Sequence, residues 1–221
     1  MNNFSLVFLV LEAFLIAGFI AFSFTNYKER FHLPYDLRNH FPYELNYESK
    51  FKDNFLGNLL LTLAIGCGIA FYITFDSVKQ NGYFLFVMVG GIIHLLSIFF
   101  LTFVPLKLTK SHLALVTLEI ILSFLIPFAI AINASLTYNT SQDNSYLTFI
   151  IIPTILCIAV FILIMNPKLT KWSKMDEKKN KDGTTTYLRP RYFILAFYEW
   201  ILLFFSLIIQ LVVILSTLVL K

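Results

Sequence analysis

A chain of 221 residues with 58% hydrophobic side chains, 25 phenylalanines and only 14% charged residues cannot clothe a water-soluble globule in polar surface. The mean hydropathy of +0.76 calls for lipid as the solvent. The net charge is only +4, and its basic residues lie in loops beside apolar runs, which excludes nucleic acid and fits an anionic inner leaflet. Lysine outnumbers arginine thirteen to four, a bias that goes with A+T-rich coding and points to a bacterial cytoplasmic membrane.

In chain order the predicted spans are residues 4–24, 55–75, 83–104, 113–132, 147–165 and 193–220. At about 1.5 Å per residue each is long enough for some 30 Å of hydrocarbon. The first span starts without a basic residue and reads as a retained helix, not a cleaved signal. Its Ala13, Ala17 and Ala21 line one stripe of small side chains, expected to pack within the bundle in preference to an external partner.

The loop 25–54 holds an internal repeat, in which His32-Leu33-Pro34-Tyr35-Asp36-Leu37 recurs as His40-Phe41-Pro42-Tyr43-Glu44-Leu45. Proline has no amide hydrogen to waste at a first helical position, and the acid two residues on suits the positive end of a helix dipole. Each copy therefore reads as a short helix start, with Phe31, Tyr47 and Phe51 adding aromatic weight for the headgroup zone. The segment is expected on the inner membrane surface, as a connector or as a platform for a partner protein. His32 and His40, with Asp36 between, are too loosely spaced for a metal site.

The second span carries Ala64, Gly68 and Asn58, and the third carries Gly90-Gly91 and His94. Pro127 interrupts the fourth span in its outer half and Pro153 the fifth. The polar loop 133–146 has no basic residue, and its Asn133 and Asn139 sequons would matter only in a secretory-pathway host. Cys67 and Cys157 lie in mid-run and behave as small hydrophobes.

Loops 25–54, 105–112 and 166–192 hold five, two and eight basic residues, fifteen in all, against Lys79 and Lys221 on the other side. The positive-inside bias then places these loops in the cytoplasm. The fold class is an all-α integral membrane protein, a single domain of six transmembrane helices with both termini extracytoplasmic.

Four ionisable residues fall inside spans, namely Glu12, His94, Glu119 and Glu199. A charge in hydrocarbon costs several kcal/mol unless it is paired or hydrated, so these are the candidate polar site. Glu119 and Glu199 lie at similar depth near the cytoplasmic side, with His94 slightly deeper, and the three could share protons if their helices meet. Glu199 is also flanked by Tyr198, Trp200 and, two turns back, Arg191, as an interfacial residue would be. Gln210 reads as interhelical glue.

The sequence has no glycine-rich phosphate loop, nucleophile elbow or His-Glu-x-x-His, and it implies no cofactor, metal or catalytic residue. The leading expectation is a non-enzymatic accessory or modulator component of a membrane system, export-associated or protective. It would contact a protein partner through the small-residue stripe and the cytoplasmic loops. The alternatives are a small proton-coupled carrier using His94, Glu119 and Glu199, and a membrane-embedded enzyme. A cysteine at Gly183 is expected to react with impermeant reagent only from the cytoplasm and one at Gln142 only from outside; labelling of both from one side would contradict six spans.

Overall fold

In a computed structural model of the chain, residues 3–46, 51–74, 82–105, 108–167, 176–179, 185–188 and 193–219 are described. Six helices form: α1 (Asn3–Phe31), α2 (Phe55–Thr74), α3 (Gly82–Leu101), α4 (Thr109–Ser141), α5 (Ser145–Ile164) and α6 (Ile194–Val219). Each is long and apolar enough to cross a membrane, making this an integral, multi-pass protein. Helices are the natural outcome because hydrocarbon offers no partner for a backbone amide, and a helix satisfies its own.

Two spans outrun their expected limits. α1 continues to Phe31, where His32 takes a left-handed φ of 55° and its amide donates to the Lys28 carbonyl. α4 absorbs most of the expected loop 133–146 and ends at Ser141, with Gln142 as its left-handed cap. At 33 residues and about 1.5 Å per residue it exceeds a hydrocarbon core of roughly 30 Å, so it projects beyond it. α4 and α5 remain helical through Pro127 and Pro153. The basic loop between α5 and α6 contains an antiparallel hairpin, β1 (Asp176–Lys179) with β2 (Thr185–Leu188), which the sequence reading treats as plain loop. Tyr47, Lys79, Gly183, Arg191 and Lys221 lie outside the described residues.

α6 is the most enclosed helix and touches α1, α3, α4 and α5, whereas α1 and α5 are the least enclosed. Interior small residues set the spacing. A β-carbon on Gly91 would collide with the Tyr72 ring, and one on Gly68 would stand 2.7 Å from Glu12 Oε2, so α2 approaches α3 and α1 across glycine notches. The α1 stripe does the opposite of what was expected: Ala13, Ala17 and Ala21 are all exposed, on the face turned away from the bundle.

The loop repeat also divides. The second copy forms a 3-10 turn, Pro42–Leu45, with proline in its first turn and the Phe41 amide donating to Glu44 Oε2 at 2.7 Å. Its apolar side chains are buried against the helices, with Phe41 wholly inaccessible and Leu45 nearly so. The first copy makes no helix. Its Asp36 accepts from the Arg38 amide at 2.9 Å in a side-chain-capped turn, while His32, Leu33 and Pro34 stay exposed.

Because Tyr72 is fully packed, Gly91→Ala is expected to lower unfolding stability in detergent by about 1–3 kcal/mol. Gly66→Ala, inside α2 where a β-carbon meets nothing within 4 Å, should not lower it and should raise it by up to about 1 kcal/mol through helix propensity. Equal thermal unfolding midpoints for the two variants would contradict the glycine-notch packing.

Candidate functional site

α4 is the hub of the buried polar groups. His112, Glu119 and Ser123 recur at intervals of seven and four residues, which places them on one helical stripe, and all three are buried. Glu119 and Ser123 meet α3. His94 Nε2 lies 2.9 Å from Glu119 Oε2 and 3.1 Å from Ser123 Oγ, with the ring better directed at the hydroxyl. Ser97, one turn from His94, flanks the same carboxylate, and its hydroxyl donates to the Ile93 carbonyl at 2.8 Å.

Two turns nearer the basic end, the same stripe makes a second pair with α6. His112 Nε2 lies 2.8 Å from Glu199 Oε1, and its Nδ1 lies 2.8 Å from the Val104 carbonyl oxygen. This pair is hidden from hydropathy, which leaves His112 in the polar loop 105–112. α4 starts at Thr109, which places His112 in its first turn and turns the ring inward. The signal was available: continuing the Glu119–Ser123 stripe back by two turns reaches His112.

His94, Glu119 and Glu199 therefore do not form one proton-sharing set. His94 and Glu119 do come together, but Glu199 is engaged by His112, two turns along α4. Nor is Glu199 an interfacial residue reaching for headgroups, since it is 1% exposed. Its neighbour Trp200 is buried too, and the indole donates to the His40 carbonyl at 3.0 Å.

Glu12 joins a third helix pair. It is inaccessible, lies in the notch of Gly68 and faces Gln210 of α6. None of the four polar atoms of Glu12 and Gln210 is in good hydrogen-bond geometry, a shortfall shared by the Glu119 oxygens but not by Glu199 Oε1, which His112 engages.

At the basic end the loop is clamped by Asn46, Asn54, Arg30 and Asp53, which composition does not mark out, together with the span residue Asn58 and the repeat residue Tyr35. Asn58 Nδ2 donates to Asn46 Oδ1 at 2.7 Å, and Asn46 Nδ2 donates to the Thr102 carbonyl at 2.9 Å. Asn54 donates to Ser23 Oγ at 2.7 Å, and Arg30 pairs with Asp53 at 3.3 Å. Tyr35, from the first repeat copy, donates to the Phe41 carbonyl at 2.7 Å. Burial, and next the charge of Glu44, hold its phenol well above the ordinary range, so it stays a donor.

Among the described residues no group of three or more His, Cys, Asp and Glu could hold a metal ion. An apolar groove of about 370 Å³ lies between α4 and α5, lined by residues such as Phe124, Phe128, Cys157 and Phe161, and none of the paired polar residues lines it. No protein-family model, curated protein or solved structure matches this chain.

Removing one member of a buried pair strands the other, at a typical cost of about 3–5 kcal/mol, whereas apolar replacement of both is often neutral. Glu119→Ala is accordingly expected to destabilise the protein by about 3–5 kcal/mol, and Glu119→Met combined with His94→Leu to recover most of that. Chemical unfolding in detergent reads the difference. Additive losses in the double variant would mean that the two residues are not coupled.

Proposed function

We propose that this chain is a non-enzymatic accessory or modulator component of a cytoplasmic membrane, both termini outside and the basic loops facing an anionic inner leaflet. Its α1 holds a transmembrane helix of a partner protein. The observation that carries this reading is the outward face of α1. Small residues that bring helices together inside the bundle lie buried at Ala64, Gly68, Gly90 and Gly91, yet Ala13, Ala17 and Ala21 form a stripe that no described helix covers. Exposed Val10, Phe14 and Phe22 flank the stripe with the bulk a second helix could interlock with. In lipid, helix association rests on such close van der Waals approach, because hydrocarbon supplies no hydrophobic drive of its own.

The sealed polar groups support the same reading. A proton-coupled carrier needs water access to its titratable groups from each side in turn. Here the carboxylates are spent in separate interhelical contacts with Glu12, Glu119 and Glu199 all inaccessible, and the open groove is apolar. The fifteen basic residues of the three loops favour the cytoplasmic placement, as the positive-inside bias requires.

A photocrosslinking side chain at Ala17 is expected to yield a discrete protein adduct in native membranes, lost when Ala13 and Ala21 are changed to Leu. The same probe at Ile162, 63% exposed on α5, should capture lipid alone. Lipid adducts only from Ala17 would overturn the partner-helix reading.

A further inference from the structure

The His112–Glu199 pair differs from the other buried contacts in that its proton inventory can be counted. The Val104 carbonyl only accepts, so the 2.8 Å contact requires a hydrogen on His112 Nδ1. The 2.8 Å between Nε2 and Glu199 Oε1 then requires one further proton, held by either atom, because two lone pairs would otherwise face each other in a dry site. The dyad is built around one shared proton.

Over this dyad lies the second repeat copy. Phe41 and Tyr43 pack edge-to-face against the His112 ring, with centroids 5.8 and 5.7 Å away, and Phe41 also meets Phe193 at the start of α6 at 5.0 Å. The covering segment is pinned to α6 at two points just ahead of Phe41. The Phe193 amide donates to the Arg38 carbonyl at 2.8 Å, and Trp200 donates to the His40 carbonyl at 3.0 Å. Among the described residues, Tyr35, Tyr43 and Glu44 of the loop are the titratable groups that face the dyad, α6 contributes Glu199 itself, and the turn after α3 contributes the Val104 carbonyl.

We propose that His112 and Glu199 form a proton-binding site, and that residues 35–46 are its lid, seated while the shared proton is present and released when it is lost. The proton acts as a signal that exposes loop surface, a role independent of the partner contact on α1. Loss of the proton leaves an imidazole lone pair against a carboxylate, a repulsion that parts α4 from α6 and admits water to Glu199. His112 is the surface on which Phe41 and Tyr43 rest, so its movement unseats them. The sign follows from linkage: the seated state binds the proton more tightly than the open one, so its advantage is full at low pH and lost as pH rises.

The test uses the full chain in lipid nanodiscs with Cys67 and Cys157 replaced by Ala. Thiol labelling of Leu45→Cys, 3% exposed in the lid, is divided by that of Leu33→Cys, 62% exposed on the same loop, which cancels the pH dependence of the reagent. The ratio is expected to rise by about tenfold from mildly acidic to alkaline buffer, the size of one tightly linked proton over about one pH unit. Glu199→Gln donates an amide hydrogen to His112 Nε2 without titrating, so it should keep the ratio low throughout, whereas Glu44→Gln should keep the step. A step that survives Glu199→Gln, or vanishes with Glu44→Gln, overturns the assignment to the dyad. Should Glu199→Gln fail to fold, the emission of Trp200 in a Trp172→Phe protein decides. It should shift to the red with rising pH as the bond to His40 is lost, and an emission unmoved by pH overturns the lid.

Discussion

Three carboxylates are sealed inside a structure whose surroundings are hydrocarbon, and each must find a polar neighbour on another helix. That constraint organises the bundle. Glu119 draws α4 to α3 through His94, Glu199 draws α6 to α4 through His112, and Glu12 faces α6 through Gln210. Apolar packing alone would not choose among helix pairings, since leucine against leucine is little different from leucine against an acyl chain. The polar contacts do choose, because the wrong neighbour leaves a charge without compensation.

The same economy explains why α6 is central. It carries Glu199 and Gln210 about three turns apart, so one helix meets α4 near the basic end and α1 further along. α4 is its counterpart, presenting a histidine to α6 and a carboxylate to α3 from a single stripe. α1 and α5 carry fewer such obligations and stand at the periphery, α1 with a small-residue face turned outward and α5 with exposed isoleucines and Phe161.

The repeat in the first loop shows how similar hexapeptides take different structures. Phe41 finds a recess against Phe193 and His112, Leu45 joins the main apolar core of the bundle, and the proline and acid then complete a capped 3-10 turn. Leu33 has no such recess and stays 62% exposed, while Asp36 closes a local turn instead of capping a helix. Short-range signals of proline and acid are equal in the two copies. Tertiary burial separates them.

What the sequence alone determined is the set of six spans, their approximate limits and the list of residues that could not be left unpartnered in lipid. Both depend on length, hydropathy and the cost of a charge in hydrocarbon, which are local quantities. The 3.6-residue period also held the stripe joining His112, Glu119 and Ser123, had the start of α4 been placed at Thr109 and not four residues later. Only the tertiary structure decided that Glu199 takes His112 in place of His94, that Ala13, Ala17 and Ala21 face outward while Gly68 and Gly91 face inward, and that one repeat copy is buried. Each depends on which helix face meets which neighbour, and apolar residues on every side of a membrane helix remove the amphipathic signal that would have revealed it.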